Sequence, residues 1–397
     1  MEPKSKSFPY RLLIFFGVQI MLLTLAFAGG YFLRDRAVED RDAFPVFEQA
    51  LDILKAHALL DLPENRKLEY GMIQGLLQAV GDPYTMFIEP PQHELQSDQL
   101  TGKFGGIGAH IEIDETGFPR LYPFQDSPAR KAGIADGDRL LAVDDWQVAP
   151  QTPLDEIQAA IRGPVGEAVR LLIFRPEENR ELSFVIDRSE VTIPSVTWNR
   201  LEEFPQVGIV HVNIIAATTR DEVTRAVEDL QAQGVSSFIL DLRNNYGGLV
   251  DGGVDTARLF LKQGDVIAQQ YRGQPVETFA VTRPGPFADL PLVVLVNHGT
   301  ASASEIIAGA LQAQGRAVLI GEPTYGKNTI QLVFNLQDGS SLHVTSARWW
   351  IPNLAFPGES HGLTPDISVS PEQSSDSAVI QIAADELIDL PATDTLP

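Results

Sequence analysis

With 397 residues, 44% of them hydrophobic and 21% charged, the chain is too long for a single compact core, and its composition excludes wholesale disorder. A formal net charge of −23 argues against a nucleic-acid partner, because phosphate contacts need clustered Lys and Arg. The absence of cysteine excludes a thiol nucleophile, a disulfide framework and a cysteine-ligated metal, and the seven histidines form no HxxxH or HxH pair, so a metal site is not expected.

The segment Leu12–Leu33 holds 22 residues without a charge. As a helix it is roughly 33 Å long, enough to cross a membrane. Lys4, Lys6 and Arg11 in residues 1–11 favour a cytoplasmic N-terminus and place the body on the extracytoplasmic face, at the cell surface or in a periplasm. A cleaved signal peptide ending near Ala26-Phe27-Ala28 is the rival; the length of the apolar run favours an uncleaved anchor.

Residues 40–99 read as helical, with Phe47, Ala50, Leu51 and Leu54, then Met72, Leu76, Leu77 and Val80, at helical spacing. Gly81-Asp82-Pro83 ends the second helix, and nothing in this region announces chemistry. Residues 100–190 read as a small module of strands and two short helices. Gly105-Gly106-Ile107-Gly108 opens into an alternating strand at Ala109–Ile113, Ser127-Pro128 starts a helix that Gly133 stops, and Thr152 caps a second helix carrying Leu154, Ile157 and Ile161. Arg139–Val143 and Val169–Phe174 are further strands.

Residues 195–370 alternate strand and helix, as in a sheet covered by helices. Strands are expected at Val207–Val212, Ser237–Leu242, Leu292–Val296 and Val318–Ile320, and helices at Val254–Leu261 and Ala303–Leu311. Thr219 and Glu222 read as a capping box ahead of Val223, Val227 and Leu230, with Gly234 as the stop. Gln331–Leu336 and Leu342–Trp349 form a hairpin through Asp338-Gly339. The tail 371–397 carries six acidic residues and no basic one; its first part reads as flexible, and Ala378–Leu390 fits a short amphipathic helix.

Three loops carry candidate chemistry. In Asn297–Glu305 small residues precede a helix and expose the Ser302 hydroxyl where peptide dipoles favour negative charge. In Gly321–Gln331, Lys327 serves as a base only if neutral, a shift of about three pKa units from roughly 10.4, or about 4 kcal/mol, that apolar burial supplies. The strand Val318–Ile320 and the run Ile330–Val333 offer that apolar wall, and Gln331 is placed to orient the amine. In Asp241–Gly248 the paired Gly247 and Gly248 let backbone N–H groups turn toward a ligand, as an oxyanion hole needs. Each loop alone also has an ordinary reading: a helix cap, a solvated lysine, an Asn/Gly turn.

Together the loops resemble the C-terminal processing peptidases, or tail-specific proteases, over Phe44 to Val369. That family has a serine in a loop like GTASASE, a lysine in one like GKGxxQ, and a strand ending DLRNNPGG. The resemblance implies Ser302 as nucleophile, Lys327 as base and Gln331 as its orienting partner, with the amides of Gly248 and Ala303, or less directly Gly247, as oxyanion hole. It also implies an α/β fold: a core related to the crotonase and Clp-protease sheets, with an inserted PDZ domain, preceded here by the helical region and a membrane-spanning helix. The PDZ loop, Phe104, Gly105, Gly106, Ile107 and Gly108, is then expected to hold a substrate's free C-terminus with Ile107 lining an apolar pocket, and Arg162 to report PDZ position to the core. Unfolded or tail-exposed proteins are the expected substrates, no cofactor is required, and the homo-oligomeric state is left open. Tyr246 stands where the family has proline, and Asn328 where it has glycine. The rivals are a non-catalytic PDZ scaffold of the same fold and a hydrolase using His298. His298 itself reads as a loop histidine, and His361 matches a family stretch that is structural.

Overall fold

The computed structural model describes residues 44–354, 362–370 and 375–389. The expected anchor over residues 12–33 lies outside them, as does His361; among the described residues no helix is long and apolar enough to cross a membrane.

One compact unit ends at Gly75. It contains helix α1 (Pro45–His57) and the first part of helix α2 (Asn65–Val80). Pro45 opens α1 in the first turn, where a missing N–H breaks no helical bond. The helical spacing is borne out, yet Phe47 and Leu54 stay exposed, while Tyr70 is buried and takes a hydrogen bond from Arg66 Nε at 2.8 Å.

The second unit begins at Leu76. A turn over residues 81–85 leads into strand β1 (Met86–Ile88) and helix α3 (Pro90–Thr101), which Gly102 closes at φ 74°. Strand β2 (Lys103–Gly106) follows, then β3 (Ala109–Ile113), β4 (Pro119–Pro123), helix α4 (Pro128–Ala132), β5 (Asp138–Val143), β6 (Trp146–Gln147), helix α5 (Leu154–Ile161), β7 (Ala168–Arg175), β8 (Arg180–Asp187) and β9 (Ser189–Thr192). The sheet β3-β4-β5-β7-β8 is antiparallel, and β2 pairs with β9 alongside it. Leu121, Leu140, Ile157, Ile161, Leu171 and Ile173 form its own core. Ser127 Oγ accepts the Arg130 N–H at 3.1 Å and Gly133 ends α4 at φ 100°, as the sequence requires. Thr152 is a correction: Pro153 is the N-cap of α5, and Thr152 Oγ1 donates to Ala149 O instead.

The remaining elements are β10 (Val196–Arg200), β11 (Val207–Val212), α6 (Thr219–Ala232), β12 (Ser237–Asp241), α7 (Val250–Arg258), β13 (Asp265–Tyr271), β14 (Glu277–Ala280), β15 (Leu292–Val296), α8 (Ala303–Ala313), β16 (Val318–Gly321), β17 (Thr329–Asn335), β18 (Ser341–Trp350), β19 (Ile367–Ser368) and α9 (Asp376–Asp389). The main sheet runs β10-β11-β12-β15-β16-β19, parallel except for β10 against β11. Val210, Leu240, Val294 and Leu319 bury one face with residues of α6, α7 and α8, and Ile209, Ile239, Val293 and Ile320 bury the other with Val379, Ala383 and Leu387 of α9. Burial on both faces explains why Ser237–Leu242 and Leu292–Val296 read as continuous apolar runs. In the second sheet β18 is central, pairing with β1, β13 and β17, and β13 pairs with β14.

Three further expectations are corrected. Thr219 and Glu222 form no capping box: Thr218 is the N-cap, Thr219 Oγ1 accepts from Ala216 N–H, and Glu222 Oε2 takes the N–H groups of Ser195 and Val196. Helix α7 starts at Val250, four residues earlier than its apolar spacing suggests, because Gly252 and Gly253 hide its first turn. The Asp265–Ala280 hairpin was not anticipated.

Candidate active site

Strands β12, β15 and β16 are neighbours with Asp241 opposite Leu295 and Val296 opposite Gly321. The three loops singled out by sequence therefore leave the same end of the sheet side by side, the usual place for a site in a parallel sheet. Hydrogen bonds stitch them together. Thr300 Oγ1 donates to Leu242 O at 2.8 Å, Ala301 N–H to Asn245 O at 3.0 Å, Asn244 N–H to Asn297 Oδ1 at 2.9 Å and Tyr325 N–H to Thr300 O at 3.0 Å.

Ser302 is the N-cap of α8 with φ 56°, a left-handed conformation that a non-glycine residue adopts only where surroundings impose it. What imposes it is Glu305. Its Oε2 accepts the Ser302 N–H at 2.8 Å and the Lys327 N–H at 3.0 Å, while Oε1 accepts from Thr324 Oγ1 at 2.6 Å and Gly326 N–H at 2.8 Å. Burial pushes the Glu305 carboxyl up, and the four donors oppose that shift by favouring the carboxylate. The adjacent Ser304 is fully buried rather than a cap.

Lys327 is half-buried, and burial lowers the pKa of its amine; the negative charges of Glu305 and Asp82 act in the opposite sense. Its Nζ lies 5.3 Å from the centroid of the Tyr84 ring. Tyr84 belongs to the turn after α2, in the region where the sequence announces no chemistry. Asp82 fixes the turn by accepting from Tyr84 N–H at 3.2 Å and from Thr85 Oγ1, and Thr345 N–H of β18 donates to Thr85 Oγ1 at 3.1 Å. Of the apolar wall expected beside Lys327, Leu319, Ile320 and Ile330 are buried, whereas Leu332 and Val333 are exposed. Gln331 Nε2 donates to Thr329 Oγ1 at 3.0 Å and to Thr345 Oγ1 at 3.3 Å, so its amide nitrogen is committed to the hairpin.

Gly247 and Gly248 have φ of 98° and 146°. A Cβ on Gly247 would stand 2.8 Å from Ala301 O, 2.9 Å from Ser302 Cβ and 3.0 Å from Ala303 N, so this loop lies directly against the serine. The Gly247 N–H is used, donating to Asn245 Oδ1 at 2.9 Å. Among the described residues the N–H groups of Gly248 and Ala303 find no protein acceptor. Tyr246 is 79% exposed at the rim, and the His298 ring packs 6.0 Å from that of Tyr325.

The residues expected to bind a peptide C-terminus run from β2 to the start of β3. Phe104, Gly105 and Gly106 sit in β2 and pair with β9. Gly105 abuts Gly163, with a Cβ there 2.0 Å from Gly163 O, and Gly108, at φ 70°, abuts Ser127. Ile107 is buried at 3% exposure within the core of the β3-β4-β5-β7-β8 sheet. The sheet ends in β3, paired with β4, on one side and in β8, paired with β7, on the other. Arg162, the C-cap of α5, pairs with Asp98 of α3 at 2.8 Å and stacks 4.0 Å from the Phe104 ring centroid.

Comparison with known proteins agrees with this geometry. The model of peptidase family S41 matches residues 206–369, and a PDZ domain model matches residues 125–175. The carboxyl-terminal-processing protease of Picosynechococcus sp. is 35% identical over 78% of this chain and 75% of its own length. Its counterpart in Synechocystis sp. is 39% identical over 72% of this chain and 68% of its own length. The carboxy-terminal processing protease CtpA of Bacillus subtilis is 33% identical over 79% and 68%, respectively. With its strand-to-helix serine and PDZ module in place, the chain belongs to the carboxyl-terminal-processing proteases, serine peptidases of family S41.

Proposed function

We propose that the chain is an endopeptidase that cleaves unfolded or tail-exposed proteins near their C-termini through a Ser302/Lys327 dyad. The observation that carries this reading is the shared anchor of the two loops: one buried carboxylate, Glu305, holds the backbone of both residues beside a helix N-terminus, and the lysine amine is desolvated. Burial disfavours the ammonium, so Lys327 takes the Ser302 hydroxyl proton as Oγ attacks the scissile carbonyl. The unpaired amides of Gly248 and Ala303 receive the oxyanion, and Gly247, whose N–H Asn245 occupies, shapes the loop. The ammonium then returns the proton to the leaving amine, and water releases the acyl group from Ser302. Gln331 acts on this scheme through Thr345 and the neighbouring turn.

Residues 100–190 serve as the PDZ module, 195–370 as the protease core and 371–397 as an acidic tail. The substrate tail adds to the edge strand β3, and the Phe104–Gly108 segment that leads into β3 receives its carboxylate. The apolar run 12–33 holds the protein at the extracytoplasmic face of a membrane, a reading that rests on the sequence alone. Digestion of a denatured protein by the full chain tests the dyad. Ser302→Ala and Lys327→Ala should each lose nearly all turnover with the fold intact; two active variants would refute it.

A further inference from the structure

The turn over residues 82–85 reaches the dyad from outside the main sheet. Its position is fixed twice: Thr85 Oγ1 accepts the Thr345 N–H at 3.1 Å, and β1 pairs with β18 through Met86 opposite His343. The Tyr84 ring thereby lies 5.3 Å from Lys327 Nζ, inside the distance of about 6 Å at which an aromatic face attracts a cation. Burial, and after it the phenol of Tyr325 two residues before the lysine, push the Tyr84 hydroxyl up, so it stays protonated at neutral pH.

We propose that Asp82 and Tyr84 are positioning residues for the general base, the ring seating the Lys327 amine and the carboxylate favouring the ammonium that forms when it accepts a proton. This rests on Lys327 being the base. The groups acting on its charge are Glu305 from α8, Asp82 and Tyr84 from the turn, and His343 from β18. Burial lowers the pKa of His343, with His93 and Lys327 acting in the same sense, so it adds positive charge only in acid. Burial of the amine favours its neutral form before reaction, whereas the ring and the two carboxylates gain interaction as the cation appears. They act on the transition state more than on bound substrate, so their loss lowers kcat rather than raising KM.

The test is the pH profile of kcat/KM of the full chain on an internally quenched, unstructured peptide. Tyr84→Leu keeps the apolar volume and removes the ring: the acid limb should move down by about half a pH unit or more, with kcat about tenfold lower and KM little changed. Tyr84→Phe should return the limb to its wild-type position, and Asp82→Asn should move it down as well. Acetic anhydride labelling of Lys327 across pH, read by mass spectrometry, gives the same titration for variants too slow to assay. Folded Tyr84→Leu and Asp82→Asn chains with a wild-type limb would overturn the proposal. An active Lys327→Ala chain would instead overturn the dyad itself.

Discussion

The backbone amides of Ser302 and Lys327 donate to one oxygen, Glu305 Oε2, at 2.8 and 3.0 Å. A carboxylate with two acceptor oxygens and four donors is matched to its surroundings in a way no other side chain reproduces.

Glu305→Gln turns one acceptor into an NH2 group facing N–H donors. Leaving buried donors unsatisfied costs about 1–3 kcal/mol, so a lower melting temperature and at least a tenfold loss of kcat are expected. Calorimetry and steady-state kinetics on the same sample check this; unchanged kcat would detach Glu305 from the site.

The Lys327 pKa is lowered from its ordinary 10.5 by burial. Turnover should therefore rise with pH through the folded-state pKa and reach its plateau above that pKa, at a lower pH than an ordinary lysine would allow. The stability sign follows. Between the folded pKa and 10.5 the unfolded chain binds a proton that the folded chain does not, so this group's contribution to stability improves as pH rises through that window. At neutral pH Lys327→Met should raise the melting temperature while abolishing turnover. A lower melting temperature would show that the amine is not held at a cost.

Gly247→Ala should spare substrate binding and damage catalysis. The added Cβ meets Ala301 O at 2.8 Å in a left-handed conformation, and the oxyanion loop must shift. Loss of an oxyanion donor's alignment lowers kcat about 100-fold, with KM nearly constant. A purely KM effect would place Gly247 in substrate binding instead.

Arg162→Ala removes both the Asp98 ion pair and the stack on Phe104, two of the contacts between α5, α3 and β2. Stimulation of turnover by a free-C-terminus peptide should then weaken. Stimulation equal to wild type would remove Arg162 from PDZ signalling.

Much of the core was legible because parallel strands buried on both faces leave unbroken apolar runs, as at Leu292–Val296, and because small residues mark the strand-to-helix serine at Ser302. The polar hairpin β13–β14 and the two-residue β6 left no comparable pattern. Glu305 sat in view inside the serine loop, but a carboxylate's role depends on which N–H groups tertiary folding brings to it. Tyr84 was illegible for the same reason: 243 positions separate it from Lys327, and the pairing of β1 with β18 and the Thr345–Thr85 hydrogen bond bring the turn to the site.

The most direct test of the dyad is mass spectrometry of the full chain after brief reaction with a fluorophosphonate, an electrophile that traps activated serines. The expected result is a single adduct on the peptide containing Ser302, absent in Ser302→Ala and formed far more slowly in Lys327→Ala. Labelling that maps to another residue, or proceeds at an unchanged rate without Lys327, would contradict it.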